Sequence, residues 1–165
     1  MPADRMFAPW RGEYVGAHAP VPGQSQCVFC KAVADAGQPG GLVVHLAPLS
    51  LVIMNLFPYN SGHVMVAPRR HVGRLSEAAP EELGEMMALA RKLEGVLEQA
   101  YKPHGMNIGM NLGAAAGAGV ADHIHLHVVP RWNGDANFMT AVGETRVIPE
   151  DPVQACARLR PYFAP

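Results

Sequence analysis

The run His123-Ile124-His125-Leu126-His127-Val128-Val129, closed by Pro130, constrains this chain more than any other stretch. Successive side chains of a β-strand point to opposite faces. The alternation therefore predicts a strand over residues 124–129, with three imidazoles on one face and Ile124, Leu126 and Val128 on the other. The apolar side has to be covered by a core layer, so the strand belongs to a packed sheet. A lone histidine is most often a structural residue; three in strict alternation point to a face built for chemistry.

Residues 42–46, 51–56, 63–67 and 106–111 read as further strands. Pro48 and Ser50 supply a turn, residues 57–62 a loop, and Pro68 a stop. One long helix is predicted over residues 79–102. Pro80 suits its first turn, Glu77, Glu81 and Glu82 complement its dipole, and Pro103 ends it. Leu83, Met86, Met87, Ala90, Leu93, Val96, Leu97 and Tyr101 recur at steps of three and four, and the methionine pair reads as core. Shorter helices are expected at residues 27–36 and 153–162. Residues 133–151 read as irregular, with a short extended piece at 146–148. There is no internal repeat and no second core. The fold expected is one α+β domain: a mainly antiparallel five-stranded sheet with a long and a short helix packed on one side. Residues 1–26, with four prolines and no lasting period, read as an extended arm. The domain proper is expected over 27–150, and a C-terminal helix or tail over 151–165.

A net charge of −1 offers no basic face to neutralise a nucleic-acid backbone, so no nucleic-acid partner is expected. No apolar run approaches the ~20 residues that span a bilayer, and the first residues lack the apolar core of a signal peptide. A cytoplasmic location follows as the expectation. In a reducing compartment the close pair Cys27 and Cys30 reads as metal-binding or redox chemistry. Cys156 reads as a small buried residue.

Two chemistries suit the aligned histidines. They can ligate a metal, or a neutral imidazole can attack phosphorus while its neighbours orient it and assist the leaving group. The preceding run Gly113-Ala-Ala-Ala-Gly117-Ala-Gly119 favours the second, because its backbone N–H groups are unobstructed and can turn toward phosphate oxygens. It does not match the phosphate loop ending in Gly-Lys-Ser/Thr.

These residues resemble the histidine-triad family. The pattern His-φ-His-φ-His-φ-φ is matched at every position from His123 to Val129. Asn55 with Gly62-His63-Val-Met-Val-Ala-Pro68 is similar to the family's nucleotide-binding strand pair, and Asn111-Leu-Gly113 to its Asn/Gln-x-Gly element. The likeness covers about residues 27 to 132. The stretch from Val129 through Trp132 to Pro149 resembles the bacterial branch of diadenosine tetraphosphate phosphorylases, near the fragile-histidine-triad hydrolases. The resemblance implies a HIT-like fold and cleavage of a dinucleoside polyphosphate at the α-phosphate, with inorganic phosphate or water as acceptor.

It also implies roles. His125 would form the covalent nucleotidyl intermediate, His127 would assist the leaving group, and His63 would complete the histidine cluster. Asn55 would hold the ribose, Ile53 and Met65 would flank the adenine, and Asn111, Gly117 and Gly119 would bind phosphate oxygens. Trp132 would stack on or limit the distal part of the substrate. Gly119 departs from relatives that carry Gln or Ser there, which leaves the preferred leaving group open. Cys27, Cys30, His71 and His123 would form a structural zinc site, with His45 a poorer substitute. A homodimer through the long helix and an adjoining strand is implied as well. Arg69, Arg70 and Arg74 read as solvated, as do His18 and His104, Asp122 as a surface residue or one that orients an imidazole, and Trp10 as arm packing. Phosphoramidate hydrolysis, a nucleotide sensor with weak catalysis and a metalloenzyme using the triad as ligands are the competing readings.

Overall fold

The computed structural model describes residues 27–38, 40–135 and 150–164. The expected arm, Trp10, His18 and the extended piece at 146–148 lie outside the described residues. Five strands form: β1 Val43–Leu46, β2 Ser50–Met54, β3 Val64–Pro68, β4 Gly105–Met110 and β5 Leu126–Arg131. They pair antiparallel in the order β1-β2-β3-β5-β4. Strand β5, which carries His127, is thus inserted between two strands that precede it in the chain.

Alternation sorts the sheet into two faces. Val52, Met54, Val64, Val66, Leu126 and Val128 face one way, into the main core. Helix α2, Pro80–Tyr101, covers them with Met86, Leu89, Ala90, Leu93, Val96 and Leu97. Its N-terminus is tied by Glu82, which accepts the N–H of Ala79 at 2.8 Å and pairs with Arg70 at 2.7 Å. The C-terminal helix α3, Pro152–Leu159, is capped by Asp151, which accepts from Val153 N–H. It adds Ala155, Cys156 and Leu159 to the same core, and Phe163 follows from the next turn. Of the two expected forms of this segment, helix or tail, the helix is the one present. Cys156 is fully buried, as its setting in an apolar helical pattern implies.

Helix α1, Val28–Ala34, lies on the opposite face, where Phe29 packs with Leu51, Ile53, Met65 and Ala67. Helices on one side only is therefore corrected. The odd-numbered apolar residues of β2 and β3 are as buried as the even-numbered ones, and α1 is what covers them.

Two further expectations change. Met87 is exposed, because the buried stripe of α2 runs through Met86, Leu89, Ala90 and Leu93, and Met87 lies about 100° round the helix from Met86. Pro130 does not stop β5: β3 has already left the ladder there, and the Pro130 carbonyl accepts from Asn60 Nδ2 at 3.0 Å. An edge without a ladder partner tolerates the missing N–H of proline.

Candidate active site and metal cluster

His127 is the triad member inside the sheet ladder. It registers with Met65 of β3 and Gly109 of β4, and Met65 registers with Ile53 of β2. The row Ile53–Met65–His127–Gly109 therefore lies on the α1 face, with two buried apolar side chains on one flank and an open space at Gly109 on the other. His125 and His123 precede the first ladder residue, Leu126. That segment instead runs beside the chain leaving β3, held by the Ile124 N–H bond to the Val72 carbonyl at 2.8 Å.

All three imidazoles lie on the Phe29 side of the sheet, as a row and not as a converging cluster. Ring centroids step from His71 to His123 at 5.1 Å, to Phe29 at 5.1 Å and to His125 at 4.9 Å. They continue to His127 at 4.8 Å, to His63 at 5.1 Å and to Tyr59 at 4.7 Å. Phe29 divides the row in two.

Hydrogen bonds assign the protons in the second half. His125 Nδ1 lies 2.8 Å from the His123 carbonyl. A carbonyl only accepts, so Nδ1 carries the proton and Nε2 keeps its lone pair. Tyr59 N–H donates to His63 Nδ1 at 3.0 Å, which puts the His63 proton on Nε2, 2.9 Å from His127 Nδ1. The proton of neutral His127 then sits on Nε2. Burial lowers the affinity of His125 for a second proton, and burial with the neighbouring His125 pushes His127 down to about 4. Both rings are neutral at pH 7: one presents a lone pair, the other an N–H.

The first half of the row is a ligand cluster. The donor atoms of Cys27, Cys30, His71 and His123 lie within 4.8 Å of one another. His123 Nε2 lies 2.8 Å from the Pro68 carbonyl, so its Nδ1 is the unprotonated nitrogen, 3.2 Å from Cys27 Sγ and 3.8 Å from Cys30 Sγ. His71 Nδ1 lies 3.4 Å from Cys30 Sγ. An ideal tetrahedral zinc site with usual bond lengths has sulfur–nitrogen edges of about 3.6 Å, so the donor set fits such an ion. Burial, then the adjoining Cys27, pushes the Cys30 thiol up; two thiols side by side ionise together only against a cation. His45 stands apart, stacked on Phe163.

The glycine-rich run folds as a turn at Ala114–Ala116 between Gly113 and Gly117, both at positive φ. A Cβ on Gly117 would stand 4.0 Å from Asn111 Nδ2, and nothing stands within 4 Å of one on Gly119. Val120 closes the run against the Phe29 cluster. Asn55 Oδ1 accepts Phe57 N–H at 2.9 Å, and its Nδ2 is 3.5 Å from the His63 ring. Trp132 lies past the end of β5, its N–H donated to Asp135 at 3.1 Å, and among the described residues no ring contact joins it to the histidine row.

Residues 37–134 match the family model described as HIT domain. The chain belongs to the HIT domain family. Among curated HIT relatives, an AP-4-A phosphorylase of Mycobacterium tuberculosis is 41% identical over 151 residues, 88% of this chain and 77% of its own. A bis(5'-nucleosyl)-tetraphosphatase (asymmetrical) of Schizosaccharomyces pombe is 38% identical over 96 residues, 58% of this chain and 52% of its own. A solved Zn-bound histidine triad family protein of Mycobacterium smegmatis superposes with a TM-score of 0.67 at 30% identity, covering 84% of this chain and 93% of its own.

Sequence reasoning missed three HIT-site features. Phe29 stands between the two ligand-type cysteines, and an aromatic inside Cys-x-x-Cys was the available signal. Tyr59 orients His63 through its backbone, which no residue type announces. Arg131, Asp135 and Asn60 form a bonded patch at the end of β5, with Arg131 Nε to Asp135 at 2.6 Å and Asn60 Nδ2 to Asp135 at 2.7 Å.

Proposed function

We propose that this protein cleaves a dinucleoside polyphosphate such as diadenosine tetraphosphate at its α-phosphate through a nucleotidyl-histidine, with inorganic phosphate as acceptor. The observation that carries this is the His125 Nδ1–H bond to the His123 carbonyl, which leaves Nε2 as a preformed nucleophile. Nε2 attacks the α-phosphorus, and the bond to the departing polyphosphate oxygen breaks. The imidazole becomes cationic, and its Nδ1–H bond to the carbonyl strengthens as it does so. His127 Nε2–H donates to the phosphate and the departing oxygen, while His63 holds His127 in that orientation. A phosphate oxygen then attacks the same phosphorus, the P–N bond breaks, and its electron pair returns to Nε2. Ile53 and Met65 flank the base, Asn55 holds the ribose, Asn111 with Gly117 and Gly119 takes the phosphate oxygens, and Trp132 meets the distal nucleotide. The M. tuberculosis relative supports phosphate over water as acceptor, since it is described as a phosphorylase.

Cys27, Cys30, His71 and His123 hold a structural zinc ion in this reading. It orders α1 and the turn into β5, and its closed donor set keeps it out of the reaction. The functional unit is a homodimer: β4 is an edge strand and carries the exposed Ile108, and the unpaired backbone of an edge strand is a template for a second chain. Sedimentation at micromolar concentration reads this directly, and a monomer refutes it.

The test is product analysis on diadenosine tetraphosphate. ADP that forms only when phosphate is supplied establishes phosphorolysis; AMP with ATP in its absence makes the enzyme a hydrolase. His125→Asn should abolish turnover and adduct formation while binding nucleotide with nearly unchanged affinity. Turnover by that variant removes the nucleophile.

A further inference from the structure

We propose that Phe29 is a positioning residue for His125, acting as the wall that fixes the rotation of the nucleophilic ring. The proposal rests on His125 being the nucleophile. Phe29 is 1% exposed and lies in the Cys27–Cys30 segment, between the two thiols. Its ring lies against both His123 and His125, at 5.1 and 4.9 Å between centroids. His125 therefore packs against two rings, Phe29 at an interplanar angle of 36° and His127 edge-on at 75°.

That confinement has a chemical consequence. Rotating the His125 ring by half a turn exchanges Nδ1 with a carbon, breaks the bond to the His123 carbonyl and releases the tautomer. Of the two flanking rings, His127 is committed to His63 by a 2.9 Å bond and takes part in the reaction. Phe29 has no polar atom, so it acts on His125 through its shape and the face of its ring and not through a hydrogen bond. It is backed by Leu51, Ile53, Met65 and Ala67 and cannot retreat. A flat ring is needed because one side chain must reach both histidines. A leucine in the same space would satisfy the core without spanning them.

The experiment uses the zinc-loaded full chain carrying Phe29→Leu, with Phe29→Met as a second variant of similar apolar volume. Long-range proton–nitrogen spectra of the His125 ring are recorded without substrate, and kcat and KM are measured separately. Wild type should show a single Nδ1–H form. The variants should show exchange between both tautomers, and kcat should fall roughly 10- to 100-fold, the scale of a misplaced reacting group, with KM changed less than about threefold. Zinc content and melting temperature check that the fold persists in whichever variant is used. A locked tautomer with unchanged kcat in a folded variant overturns the proposal. So does a rise in KM alone, which would make Phe29 only a wall of the nucleotide pocket. Failure of the nucleophile reading is told apart by His125→Asn: if that variant still turns over, the nucleophile reading is wrong whatever Phe29 does, and the spectra still report whether Phe29 confines the ring.

Discussion

At the scale of single residues, this molecule spends backbone groups to control side-chain protons. The His123 carbonyl, the Pro68 carbonyl and the Tyr59 N–H each select one tautomer of a different histidine. The imidazoles themselves are legible from alternation, but the partners that set their protons are not, because any residue type supplies a carbonyl. Gly62 shows the same dependence on backbone. It sits at φ +73°, and a Cβ there would stand 3.0 Å from the Tyr101 ring. Gly62→Ala should cost about 1–3 kcal/mol from the left-handed backbone and the crowded ring, read as a drop in the urea midpoint. An unchanged midpoint would mean that the loop re-forms around the methyl group. The change also falls next to His63, so nucleotide affinity should drop with stability.

At the scale of elements, what the sequence makes plain is what repeats locally. All five strands and the three helices lie within a few residues of where alternation, three-and-four spacing and proline put them. What stayed hidden was set by pairing across the chain: the insertion of β5 between β3 and β4, and the placement of α1 on the far face. The Cys27, Cys30, His71 and His123 grouping came from the family resemblance, since the four are brought together by the run beyond β3 lying against residues 122–124. Helix α2 shows how far periodicity carries. It gives the period of the stripe but not its edge: the three-and-four spacing takes in the exposed Met87 and omits the buried Leu89. The difference is measurable. Leu93→Ala should cost about 2–5 kcal/mol as a fully buried residue, whereas Met87→Ala should stay within about 0.5 kcal/mol. Comparable losses from both would mean that Met87 is covered in solution by another chain.

At the scale of the whole molecule, buried titratable groups decide the pH range over which the fold persists. His127 titrates at about 4 in the folded chain, with His125, His63 and Tyr59 around it. An unfolded histidine titrates near ~6.5. Between those values the unfolded chain takes a proton the folded chain refuses, so stability falls as pH falls through that window. Glu82, held down by Arg70, and Asp135, held down by Arg131, act lower still. Their contribution is present above the ordinary carboxyl value of about 4 and is lost as pH drops through their folded values. Urea midpoints taken from pH 7.5 to 3 should be nearly level down to about 6.5 and decline below it, and His127→Gln should flatten the upper part of that decline. A flat wild-type profile between pH 7 and 5 contradicts the assignment. Chelation should lower the melting temperature of wild type and leave a Cys27→Ser variant unmoved; equal melting with and without chelator would mean that the four-residue cluster holds no stabilising ion. The insertion of β5 has a consequence for biosynthesis. As the polypeptide leaves the ribosome, β4 emerges with no neighbour to join, and the slot beside β3 stays vacant until residues 126–131 arrive. The segment that fills the slot also sets His127 beside His63, so the histidine row is complete only once β5 has joined the sheet.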